Sequence, residues 1–391
     1  MVDFSLTREQ LELQRLAREF AEKEIKPIAA LYDRCPDPSK CVPLDVVRKA
    51  AKLGFTTLII PEKYGGVGGK ELDVAILSEE LAKADIGLAE TIMSNNAFVR
   101  PIIAFGTEEQ KEKWLREICR RKEEPYLLAF AATEPESGSD SASPDPRLGI
   151  KTRAVKDGKK YIINGRKCFI TNGGIASLYI VFARTDPTKG AMGGVSAFLI
   201  EKDTPGFSIG KIEDKMGHRL SQQAELIFED VEVPEEMRLG EEGDGFLIMM
   251  DFVAGSGPGV GALSVGLATA AFEYAKEYAK NRYQGGNYII YHQAIGFKLV
   301  DMKIKIECAR NLVWKACWYN DNVGRSNELS AMAKIYATDM AMQVCEEAVQ
   351  ILGGYGYMKD HPVEKWMRDA KLGQIYDGTN EALRLALMML L

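Results

Sequence analysis

Apolar residues recur at a helical interval towards both ends of the chain and at a strand interval in its middle. Near the start, Leu13, Leu16, Ala17 and Phe20 share one helix face, and Thr7-Arg8-Glu9-Gln10 forms a capping box ahead of them. A second helix fits Leu44 to Leu53. The stretch "PEKYGGVGGKELD" then interrupts with four glycines, and helical spacing returns in "VAILSEELAKAD". Thr107-Glu108-Glu109-Gln110 is another capping box, opening "KEKWLREICRR". Up to about residue 125 there is no convincing strand.

The texture then changes. "VKDGKKYIINGRKCFITNG" carries two turn dipeptides, Asp157-Gly158 and Asn164-Gly165, around the β-rich run Tyr161-Ile162-Ile163. "SLYIVFAR", "VSAFLIEK" and "AELIFEDVEV" are further strand-like runs bounded by Gly, Pro and Asp. From Gly245 three long helical stretches follow. In the last of them Met332, Tyr336, Met340, Val344, Ala348 and Leu352 recur every four residues, and Gly353 is placed as a left-handed cap. The pattern predicts an α+β chain. An N-terminal helical domain spans 1–127, an antiparallel β domain 128–240, and a C-terminal four-helix bundle 241–391.

Composition narrows the function. Hydrophobic residues make up 46% and charged residues 27%, an ordinary balance for a globular chain. Lys plus Arg number 50 against 56 Asp plus Glu, a net charge of −6, which argues against nucleic acid as a partner. No apolar run is read as membrane-spanning, and "MVDFSLTREQ" has no signal pattern, so a cytoplasmic location is expected. None of the seven cysteines forms a C-x-x-C pair, and His218, His292 and His361 lie far apart in sequence. Neither a metal site nor a disulfide framework is expected.

Familiar nucleotide and hydrolase signatures are missing. No G-x-G-x-x-G follows a strand, "GGVGG" lacks the Lys-Ser/Thr of a P-loop, and no G-x-S-x-G elbow is present. What remains is a set of polar, Gly-rich junctions: "AATEPESGSD", "FITNGG", "NRYQGGNYIIYHQ", "QILGGYGY" and "QIYDGTNEALR". Taken singly, each reads as a loop or a cap.

Taken together, these stretches resemble the acyl-CoA dehydrogenase family over the whole chain. "TEPESGSD" is similar to the family's T-E-P-x-x-G-S-D. "GRKCFITNG" is similar to G-x-K-x-W-I-T-N-G, with Phe169 in place of Trp, and "IYDGT" to I-Y-E-G-T. "QILGGYGY" and "PVEKWMRDAK" match nearly residue for residue. The resemblance implies an N-terminal helical domain, a β-barrel-like middle domain and a C-terminal four-helix bundle, with FAD held between the middle domain and the bundle, in a homotetramer or dimer. It places Phe130, Ala131, Ala132, Thr133, Ser139, Phe169, Ile170 and Thr171 around the flavin, with Thr171 donating towards N5. Arg282 and Gln293 would serve the cofactor, Arg282 at its pyrophosphate. Gln350, Gly353 and Gly354 would meet the FAD of a partner chain, and Thr379 and Asn380 complete the cofactor set. Ser139, Ser256, Gly257 and Gly378 would face the substrate.

Asp377 stands where the family usually has Glu, the base that removes the α-proton of an acyl-CoA thioester. The local residues alone also allow Asp377 to be a helix cap. Some members carry the base elsewhere, at the position of Ser256, which cannot act as one. Gly257, Ala254 and Gly285 also depart from the family pattern and suggest a wider acyl pocket. A shorter base and a wider pocket point to a cyclic, cyclohexanecarboxyl-type, or branched acyl-CoA, with electrons passed to an electron-transfer flavoprotein. The alternatives are a flavin oxidase resembling nitroalkane oxidase, a short- or medium-chain straight acyl-CoA dehydrogenase, or a non-catalytic CoA-ester-binding module.

Overall fold

The computed structural model describes residues 5–391; Asp3 and Phe4, at the head of the family-like opening, lie outside them. Both capping boxes form. The Thr7 hydroxyl accepts from the Gln10 N–H at 3.2 Å and the Gln10 side chain accepts from the Thr7 N–H at 3.1 Å, which starts α1 (Arg8–Phe20). A π-helical turn leads into α2 (Lys26–Asp33), followed by α3 (Leu44–Lys52), which Gly54 ends with φ +81°. After the glycine-rich interruption come α4 (Glu71–Ala82), α5 (Ile86–Phe98), α6 (Arg100–Phe105) and α7 (Glu108–Arg120). Helices α4 and α5 are buried almost all round, so they show little amphipathic pattern.

The middle region is an eight-stranded sheet: β1 (Leu128–Ala131), β2 (Arg153–Asp157), β3 (Lys160–Thr171), β4 (Leu178–Arg184), β5 (Val195–Glu201), β6 (Phe207–Ile212), β7 (Gln223–Pro234) and β8 (Arg238–Leu239). Between β4 and β5 sits one irregular turn, α8 (Ala191–Gly194). The order is β6-β7-β3-β2-β4-β5-β8, with β1 also on β4. The expectation of a purely antiparallel domain is corrected: β1 and β2 both run parallel to β4. Strand β4 is buried along its whole length because other elements cover both of its faces, and its sequence is accordingly apolar from Leu178 to Ala183. Asp157-Gly158 makes the expected hairpin turn, but Asn164-Gly165 does not. β3 runs straight through it with a bulge, because Gly165 presses on Thr152 and a Cβ there would collide.

The C-terminal helices are α9 (Gly245–Asn281), α10 (Gln293–Asn322), α11 (Asn327–Leu352), α12 (Val363–Gly373) and α13 (Asn380–Met388). They do not close on a core of their own. One apolar cluster joins Phe20, Val47, Leu77 and Ile92 from the front of the chain to Leu263, Val313, Met340 and Val344 from the back. The two remaining clusters lie on opposite faces of the sheet. Two expectations about the bundle change. Tyr336 of the every-fourth stripe is exposed, and the buried face of α11 runs instead through Ala333, Ala337, Met340, Ala341, Val344 and Ala348, following the 3.6-residue turn. And α9 is, by length and composition, apolar enough to cross a membrane, contrary to the reading of the sequence; most of it is buried against its neighbours.

Candidate active site

The turn that carries Asp377 is fixed from below. Helix α12 stops at Gly373, where a Cβ would sit 3.1 Å from Thr338 of α11. Asp377 then adopts φ 51° and Gly378 φ 84°, so the chain reverses on two successive left-handed residues. Asp tolerates that conformation at modest cost. The cap of α13 is Thr379, whose hydroxyl accepts from the Ala382 N–H at 3.1 Å. Asp377 is therefore not the cap. The buried Lys334 ammonium donates to the Gly378 carbonyl at 2.7 Å and to Asn380 Oδ1 at 2.9 Å. The Asn380 amide donates to Thr338 and Asp339, so this side chain is spent on holding the turn.

Asp377 itself has few partners. The residue is half-buried, and burial pushes its carboxyl up to about 6, against opposing pulls from Lys334 and Ser256 and a further push from Glu90. Ser256 sits on α9 with its hydroxyl buried and short of full hydrogen-bond geometry with any group, Asp377 included. Among the described residues the backbone N–H of Asp377 has no acceptor. Burial pushes Lys334 down to about 8, while Asp377, Asp339 and Glu381 pull it up and Arg384 lowers it. The neighbouring Tyr376 meets the His218 ring edge-on at 5.9 Å.

The sheet meets this turn along the end of β3. Ser139, in the exposed "TEPESGSD" loop, lies 3.5 Å from Thr379, hydroxyl to hydroxyl. Phe130 and Phe252 stack at 4.0 Å. Phe169 is an exposed aromatic at φ 59°, on a bulge between Lys167 and Ile170. A bulky residue in the left-handed region is strained, and such strain is kept mostly at functional positions. Two residues on, the Thr171 hydroxyl donates to Glu90 at 3.4 Å and accepts from Gln223 at 3.1 Å. Beneath them Lys167 donates to the Ala132 carbonyl and pairs with Glu134 at 2.8 Å, which ties Ala131, Ala132 and Thr133 to β3. Ile170 is core.

A second group of expected residues lies elsewhere. Arg282, Gly353 and Gly354 line an open cleft of about 600 Å³ with Tyr278, His292 and Tyr355. Gln293 and Gln350 are exposed nearby in sequence. Gly353 takes φ 60° and ψ −133°, a conformation for glycine but not the left-handed cap expected. Ser256 and Arg282 sit at opposite ends of one helix segment, roughly 40 Å apart at 1.5 Å per residue. A single chain does not bring the two groups together.

The departures read as widening a pocket have these neighbours in the structure. A Cβ on Gly257 would lie 3.2 Å from the Ser330 carbonyl, so this glycine serves helix contact. The Ala254 carbonyl accepts from Asn320 and Ser330. Gly285 belongs to an exposed hairpin near His292. The sequence reading missed Glu90, His218 and Lys334. The available signals were a Glu in the apolar run "IGLAETIM" and a Lys in "LSAMAKIYA".

Comparison with known proteins agrees over the full length. Models described as acyl-CoA dehydrogenase N-terminal, middle and C-terminal domains match residues 7–122, 129–231 and 243–391. A protein of Megasphaera elsdenii described as "Acyl-CoA dehydrogenase, short-chain specific" is 46% identical over 97% of each chain. A solved structure described as "Electron transferring flavoprotein of Acidaminococcus fermentans: Towards a mechanism of flavin-based electron bifurcation" contains a chain 44% identical. It covers 100% of this chain and 99% of that one, with a TM-score of 0.93. Another, "FAD complex of PigA", is 31% identical with a TM-score of 0.90, covering 99% and 98% of the two chains.

Proposed function

The chain belongs to the acyl-CoA dehydrogenase family, and from that premise we propose that Asp377 is the base of an FAD-dependent α,β-dehydrogenation of a compact acyl-CoA. The observation that carries this is the state of Asp377: a half-buried, under-partnered carboxyl pushed up to about 6, on a turn held by Lys334. A base that titrates near neutrality suits proton abstraction from a weak carbon acid.

The residues present fit the cofactor. Phe169 offers an exposed aromatic face beside the Thr171 hydroxyl, and the Arg282 cleft offers a cation with glycine backbone. Bound FAD supplies the hydride acceptor. Asp377 takes the proton from the α-carbon. Its own unpaired N–H is free to donate to the thioester oxygen, where negative charge develops as that proton leaves. Lys334 keeps the turn, and therefore the carboxylate, in place. Because Arg282, Gly353 and Gly354 lie far from this turn, the cofactor set is completed by a second copy of the chain, in a dimer or tetramer. An electron-transfer flavoprotein takes the electrons onward, a reading supported by the description of the structural neighbour.

Two acyl shapes fit. The name of the Megasphaera relative favours a short straight chain. The stem of Asp377, one methylene shorter than Glu, favours a ring or an α-branch whose α-carbon lies close to the turn. The deciding experiment reconstitutes the protein with FAD and follows anaerobic bleaching by butyryl-CoA and by cyclohexanecarboxyl-CoA. Faster bleaching by the ring ester selects the second shape, and faster bleaching by butyryl-CoA the first. No FAD uptake, or no bleaching by any CoA ester, ends the proposal. Rapid peroxide formation in air would mark an oxidase instead.

A further inference from the structure

A second carboxylate is built into the floor of this site. Glu90 is 4% exposed on α5 and His218 is fully buried; Glu90 Oε2 lies 2.8 Å from His218 Nδ1. The pair exists because Gly87, one turn before Glu90, lets α5 press on the backbone of His218: a Cβ there would sit 3.0 Å from it. His218 is pinned at φ 47°, with its N–H donating to Asp369 at 2.7 Å and its carbonyl accepting from Lys215 at 2.6 Å. Its Nε2 is buried without a partner, and the ring edge meets Tyr376, the residue before Asp377. The other oxygen of Glu90 accepts from Thr171. One carboxylate thus touches both halves of the site, the Thr171 end of β3 directly and the Asp377 turn through His218 and Tyr376.

We infer that the Glu90–His218 pair is a positioning element for the reaction, tying the Thr171 hydroxyl to the Asp377 turn and placing a negative charge between them. The inference rests on the reading of Asp377 as the base. The charges facing Asp377 are Glu90 from α5 and Lys334 from α11, with the Ser256 hydroxyl from α9; Glu90 in turn faces His218, Lys215 and the hydroxyl of Ser221. Glu90 is the negative member of the first set. A neighbouring negative charge disfavours ionisation of a carboxyl, so losing it makes Asp377 ionise at lower pH.

The test compares wild type, Glu90→Gln and Glu90→Asp. Asp377 is titrated by infrared difference against an Asp377→Asn background, with and without FAD, and the midpoint potential of bound FAD is measured. Glu90→Gln is isosteric, so it is expected to move the Asp377 midpoint to lower pH and raise the flavin potential, because a negative charge near Thr171 is gone. Glu90→Asp, which keeps the charge, is expected to restore both towards wild type. An Asp377 midpoint that stays put in Glu90→Gln while the melting temperature falls overturns the inference and leaves Glu90 a strut. A midpoint that shifts in a protein no acyl-CoA can reduce upholds the pair and overturns the proposed reaction.

Discussion

Two aspartates eight residues apart on the same C-terminal segment live very differently. Asp369, on α12, is completely buried and saturated. It pairs with Lys365 at 2.6 Å and accepts from the His218 N–H at 2.7 Å, while Lys365 reaches across to Asp85 at the start of α5, also at 2.6 Å. Burial opposes its charge, but Lys365 and His218 win, and the Asp369 carboxyl stays below its usual range. Asp377 is only half-buried, and its nearby cation, Lys334, spends two hydrogen bonds on Gly378 and Asn380, while Ser256 falls short of a full bond. There burial wins, and the carboxyl goes up to about 6. On the proposed reading, the difference teaches how one fold separates a strut from a reagent. A buried carboxylate with both oxygens engaged has little left for a substrate, whereas an under-engaged one is held ready to take a proton.

The comparison breaks first on Asp377→Asn. Asn keeps the size and the left-handed preference and removes the proton acceptor, so flavin reduction by acyl-CoA should fall about 10²–10⁴-fold in stopped flow. FAD content should not change. If a strut had been removed instead, the protein would lose stability. The sign here is opposite. A folded-state value of about 6 lies above the unfolded value of about 3.9, so the contribution of Asp377 to stability is present at low pH and lost as pH rises through 6. Asp377→Asn should therefore unfold with up to about 3 kcal/mol more stability than wild type at pH 8, and with no gain at pH 3.

Lys365→Met probes the other aspartate. It leaves Asp369 and Asp85 buried without their cation, which costs about 3–5 kcal/mol in denaturant unfolding. The loss should be largest at neutral pH and shrink as the carboxyls take up protons. A Lys365→Met protein as stable as wild type would show that saturation is not what holds Asp369.

Asp377→Glu sharpens the substrate question. If a ring sits close to the turn, the extra methylene crowds it, and bleaching by cyclohexanecarboxyl-CoA should fall relative to butyryl-CoA. An equal gain on both esters rules out the ring. Ser256→Ala is the gentlest probe. Ser256 holds Asp377 down, so its loss should move the acid limb of the flavin-reduction rate to higher pH, with little change in the plateau. An unmoved limb would mean that the hydroxyl does not sense the carboxylate.

The sequence by itself determined the order of the elements and the family. The capping boxes at Thr7 and Thr107 are local devices, complete within four residues, and both formed as read. The family-like stretches carried the flavin and acyl-CoA reading because they are contiguous: "TEPESGSD", "FITNGG" and "IYDGT" each hold their own turn. Only the tertiary structure decided which carboxylates matter. Glu90 and His218 are separated by 128 residues, and Lys334 and Gly378 by 44, and no local pattern links them. Their meeting depends on Gly87 and Gly373 letting helices approach within about a side chain's thickness, and an isolated glycine in a helical run does not announce what it touches. Parallel pairing of β1 and β2 with β4, the bulge at Gly165 and the shared core of the two helical ends belong to the same class. Local propensity sets what a segment can form, and long-range packing sets what it lies against. The ionisation of Asp377 is a property of what it lies against.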